Sequence, residues 1–83
     1  FGNMEVLRIA ILDFCRRRKT SFCPSEVVRK LYPEDWRHFI PDVQEVMMAM
    51  YREGLILVTQ KDLPVDPNEL PKGPVRISRV KTY

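Results

Sequence analysis

Cys23 is the residue of this chain best placed for covalent chemistry. It stands directly before Pro24-Ser25-Glu26, where proline suits a first helical turn and a carboxylate can reach back to cap it. A thiol at a helix N-terminus has its pKa lowered by the aligned peptide dipoles. A redox-sensitive or nucleophilic Cys23 is therefore one reading, and a small half-buried cap beside Pro24 is the simpler one. Cys15 falls on an apolar helix face and reads as core. His38 is the single histidine, and without a Ser, Cys or acid at fixed spacing it does not build an acid–base site. Two Cys and one His also fall short of the four ligands of structural zinc. The chain has no Gly-rich phosphate loop, metal motif or nucleophile elbow. With 83 residues it buries one modest core and leaves little room for an enclosed pocket. The expectation is a non-enzymatic domain with no metal, no cofactor and no evident small-molecule substrate.

Charge offers a second kind of chemistry, the binding of phosphates. Fourteen Lys and Arg stand against eleven Asp and Glu, a net +3, and their distribution is uneven. Residues 1–32 carry seven basic and three acidic groups, residues 33–54 two and five, and residues 55–83 five and three. The candidate phosphate ligands are Arg16, Arg17, Arg18 and Lys19, then Lys61, Lys72, Arg76, Arg79 and Lys81. DNA and RNA are the partners this suggests. The acidic middle suggests the alternative, a protein partner or a second copy docked on Glu45, Met48 and Arg52.

These side chains must be held by a small set of elements. Residues 4–18 show helical apolar spacing (Val6, Leu7, Ile9, Ala10, Ile11, Phe14, Cys15) after Asn3, a good cap. Residues 20–22 link to a second helix capped at Cys23, with Val27, Val28 and Leu31 facing inward. Pro33 ends it. In the turn at 34–39, Trp36 staples the junction, its indole N–H seeking a carbonyl. The third helix opens at Pro41-Asp42, buries Val43, Val46, Met47 and Met50, and closes on Gly54. Its expected outward side chains are Asp42, Glu45, Met48, Arg52 and Glu53. Residues 55–60 and 75–80 read as strands around a loop at 61–74, and Phe22 can add a short third strand. Two strands alone are marginal, so they must pack on the helices. The expected fold is α+β and mainly helical, a winged helix (a helix-turn-helix variant) of three helices with a C-terminal β-hairpin wing. It fills one domain, 1–83, with its core over about 4–80; residues 1–3 read as a tag remnant or fragment start. The longest apolar run, Ile9 to Leu12, is far from a membrane span, and the few cysteines point to the cytoplasm.

Five blocks carry a family resemblance. They are Cys23-Pro24-Ser25-Glu26-Val27, Asp35-Trp36-Arg37, Val58-Thr59-Gln60-Lys61, Val65-Asp66-Pro67 and Lys72-Gly73-Pro74-Val75-Arg76. Together they resemble a family of short bacterial winged-helix domains of unknown function, over residues 7–77. The resemblance implies the fold and brings no activity with it. Two departures stand out. Asp62 replaces a glycine at the entry to the wing, and Gln44 and Glu45 make the third helix less basic than in relatives. The resulting expectation is a nucleic-acid-binding or regulatory module. It would contact phosphates through the wing and the basic end of the first helix rather than through the third helix.

Overall fold

The computed structural model describes residues 2–80. Helix α1 (Gly2–Arg17) leads to α2 (Pro24–Leu31), a 3-10 turn (Trp36–Phe39) and α3 (Ile40–Arg52). Three strands follow, β1 (Ile56–Gln60), β2 (Leu63–Pro64) and β3 (Arg76–Arg79), in one antiparallel sheet of order β2-β1-β3. The fold is α+β, mainly helical, and consistent with a winged-helix arrangement. Helix α1 starts at Gly2, so Asn3 lies inside its first turn rather than capping it. Phe1 and Lys81 lie outside the described residues.

Local signals govern most element ends. Pro24 opens α2, and the Glu26 carboxylate accepts the Cys23 backbone N–H at 2.9 Å. Helix α3 closes on Gly54 at φ +80, with Gly54 N–H donating to the Tyr51 carbonyl and Leu55 N–H to that of Met50, both at 3.0 Å. That pairing needs a left-handed residue after the helix, which glycine adopts without a Cβ clash. The segment expected as one loop instead begins with a tight hairpin. Lys61 (φ 52) and Asp62 (φ 68) both take positive φ, as a type I′ turn requires, and Thr59 and Gln60 pair with Pro64 and Leu63. Aspartate at 62 therefore keeps the turn that glycine would make more cheaply.

The core joins all the elements. Leu7, Ile11, Val27, Val28, Val43, Met47, Met50, Val58 and Ile77 are fully buried. Phe22 is expected to enter this core and does so: its backbone bridges Ile77 of β3, with N–H···O distances of 2.9 and 2.7 Å, and its ring packs 5.2 Å from that of Phe14. Two expectations change. Val6 and Ile9, read as part of one apolar stripe, are 41% and 61% exposed, because Leu7, Ile11, Phe14 and Cys15 already fill the inward face of α1. Met48, expected to point outward, is only 3% exposed. The segment at 65–70 folds back over that side of α3, where Asn68, Glu69 and Leu70 share a cleft with Met48. Tyr51 Oη donates to the Val65 carbonyl at 2.7 Å and the Arg52 guanidinium to that of Pro67 at 3.2 Å, fastening the loop down.

Glu26 makes a testable contribution to stability. The Cys23 N–H, and after it the Arg18 guanidinium 3.0 Å away, hold its carboxyl below the ordinary value of 4.5. A carboxyl depressed in the folded state stabilises the fold above its unfolded value and loses that contribution as pH falls through the folded one. Glu26→Gln, which keeps the cap and removes the charge, is expected to cost about 0.5–1 kcal/mol at pH 7. Urea unfolding at stepped pH should show the difference from the parent shrinking as pH drops below 4.5.

Candidate functional site

The basic residues divide into two groups. At the C-terminal end of α1, Arg16 and Arg17 pair with Asp13 at 3.1 and 3.0 Å, and Arg18 pairs with Glu26 at 3.0 Å. The guanidinium of Arg18 and the ammonium of Lys30 both sit over the Phe14 ring, at 5.2 and 5.7 Å. From β3, Arg76 donates to Ser21 Oγ at 3.1 Å and to the Ser21 carbonyl at 2.8 Å. Arg79 stands close enough for its charge to act on Cys15, and it lines one groove with Arg16 and Lys30. Arg76 and Arg79 leave opposite faces of β3, so the cations form a band that wraps round the end of α1 and the edge bridged by Phe22.

Seven cations, Arg16, Arg17, Arg18, Lys19, Lys30, Arg76 and Arg79, thus stand against the two carboxylates of Asp13 and Glu26. The whole chain carries only +3, so everything outside the band is net negative. Lys19 and Arg79 are exposed and have no ion-pair partner among the described residues. Arg16, Arg17 and Arg18 are held by exposed pairs, which are worth about 0–1 kcal/mol each and exchange readily for another anion, while Arg76 is held by Ser21 and Lys30 rests over Phe14.

Lys61 and Lys72 are not part of the band. Lys61 occupies the β1–β2 turn, and the Lys72 carbonyl accepts a hydrogen bond from the Gln60 side chain at the same end of the sheet. Arg79 pairs with Ile56 at the other end of β1. Asp66 and Glu69 share the surface around Lys72, which leaves the turn end of the wing mixed in charge.

Helix α3 presents little to a partner. Met48 is buried, Arg52 is engaged by Pro67, and Glu53 holds Arg8 in a two-point pair at 3.0 and 3.1 Å. Of the side chains proposed for an α3 docking surface, Glu45 alone remains exposed and without a polar contact among the described residues. Sequence reasoning missed Lys30, whose place in the outward last turn of α2 was the available signal. It also missed how Trp36 is held, by the guanidinium groups of Arg29 and Arg37 at 4.2 and 4.5 Å from its ring. His38 is exposed in the 3-10 turn, edge-on to Phe39.

Both cysteines are free thiols. Burial pushes the Cys15 thiol up, against the opposing charge of Arg79. Cys23 is half-buried with Sγ 3.1 Å from Ser25 Oγ, and its backbone N–H donates to the Glu26 carboxylate at 2.9 Å. Among the described residues no three His, Cys, Asp or Glu group together to hold a metal, and no helix is long and apolar enough to cross a membrane.

Residues 4–80 match the model of a family described as protein of unknown function (DUF3253), and the chain belongs to that family. No curated protein matches it.

Proposed function

We propose that this member of a family without an assigned activity is a non-enzymatic nucleic-acid-binding module that grips the phosphate backbone with the band at the end of α1. The observation that carries the reading is the convergence of seven cations on two carboxylates in a chain of net +3. Phosphate oxygens would replace Asp13 and Glu26 as partners of Arg16, Arg17 and Arg18, and would meet Lys19 and Arg79 directly. Such contacts fix position on a duplex and carry no base information. Base reading through α3 is disfavoured by its acidic side chains and by the loop fastened over Met48 and Arg52. The wing turn, with Lys61 and Lys72 among acids, contributes less than the band.

Affinity measured by fluorescence anisotropy on a short labelled duplex tests this. Four or so displaced counterions predict a fall of about two orders of magnitude in affinity between about 50 and 200 mM salt, with little dependence on duplex sequence. No binding at the lower salt, or an affinity indifferent to salt, overturns the proposal.

A further inference from the structure

The exposed apolar surface of this domain is concentrated in one place. Seven large hydrophobic side chains are exposed among the described residues, and five of them, Val6, Ile9, Leu12, Leu55 and Val80, line a single open groove of about 740 Å³ beside α1. Ile9, one of its lining residues, is 61% exposed. Scattered exposed leucines need no explanation, but a contiguous patch of this kind marks a contact surface.

The outward face of α1 also has an order that specifies a partner. Glu5, Ile9, Leu12 and Arg16 follow one another at spacings of four, three and four residues, the repeat that lines up along one side of a helix in a two-helix seam. An acid stands at one end, a base at the other, and two apolar residues lie between. Glu5 is exposed and has no ion pair among the described residues. At the opposite end Arg16 shares the groove with Lys30 and Arg79, so the groove's cations gather about 16 Å along the helix from Glu5.

We infer that this groove is the interface between two copies of the chain, joined through antiparallel α1 helices. A two-fold axis between Ile9 and Leu12 sets Ile9 of each copy against Leu12 of the other. It also sets Glu5 of each copy against the Arg16, Lys30 and Arg79 cluster of the other. Every contact is made twice, as a closed two-fold interface requires. The basic bands fall at opposite ends of the pair, so their charges are kept apart. The interface shares Arg16, Lys30 and Arg79 with the band, so a duplex competes with it for those cations; its test, self-association without nucleic acid, is separate from that of the band. One helix face and its flanks bury less than a standard interface of about 800 Å² per partner, so a dissociation constant of about 10–100 µM is expected.

Sedimentation equilibrium of the full chain from about 5 to 500 µM should show mass rising from one chain to two. Ile9→Asp changes an exposed side chain and is expected to weaken the pair at least about tenfold. Glu5→Arg and Arg16→Glu should each weaken self-association. Mixed together they should pair with one another more tightly than either pairs with itself, because both charge contacts are then restored. A chain that stays monomeric throughout overturns the inference. So does a dimer unaffected by Ile9→Asp, or a mixture of the two charge variants that associates no better than each alone.

Discussion

Phe22→Ala is expected to remove most of the stability of the domain. Phe22 is fully buried, and from outside the three strands it bridges the sheet at Ile77, while its ring packs on Phe14 of α1. Truncation leaves the two backbone hydrogen bonds in place, so the loss is one of packing: the apolar area of the ring and the cavity left between helix and sheet. Such a change costs about 3–5 kcal/mol, and a chain of this length has roughly 4–12 kcal/mol in all. Thermal unfolding followed by circular dichroism should show a midpoint lowered by about 15–30 °C, or no folded baseline. Phe22→Leu, which keeps most of the volume, should cost under about 1.5 kcal/mol. An alanine variant as stable as the parent would mean that the link does not tie α1 to the sheet.

Reversing Lys19 and Arg79 together, Lys19→Glu with Arg79→Glu, is expected to have the largest effect on binding. Both side chains are exposed and unpaired among the described residues, so the fold has little to lose. Each reversal removes a phosphate contact and adds a repulsion beside the remaining ones. Affinity for duplex DNA at about 50 mM salt should fall about a hundredfold, and the salt dependence should flatten by about two counterions. The matched reversal at the wing turn, Lys61→Glu with Lys72→Glu, changes the net charge by the same amount and should weaken binding by less than about threefold. Equal losses from the two pairs would mean that overall charge, and not the band, governs attraction.

The features legible in the sequence are those decided locally. Pro24 with Glu26 marks the start of α2 because a missing N–H and a reaching carboxylate act within one turn. Gly54 marks the end of α3 because a left-handed residue is needed there. The inward stripe of α3 follows from helical period alone at Val43, Val46, Met47 and Met50. What could not be read depends on distant chain. Met48 sits on the outer side of α3 by any helical wheel, and only the return of residues 65–70 buries it. Lys30 joins the band because α2 crosses Phe14, a contact between helices. Helix α1 has more apolar residues than one face can bury, and nothing in its spacing says whether Ile9 or Ile11 goes inside. The charge split at residues 33 and 54 did point to basic ends around an acidic middle; the fold separates the band from the wing lysines that the sequence had grouped with it.

The central claim is that phosphates meet the end of α1 and β3 while α3 stays covered. An amide chemical-shift titration of the full chain with a short DNA duplex at low salt tests it most directly. The account predicts the largest shifts at Arg16–Lys19, Lys30, Arg76 and Arg79, with Glu45, Met48 and Arg52 scarcely moving. Shifts centred on Glu45 to Arg52, or none at saturating duplex, would contradict it.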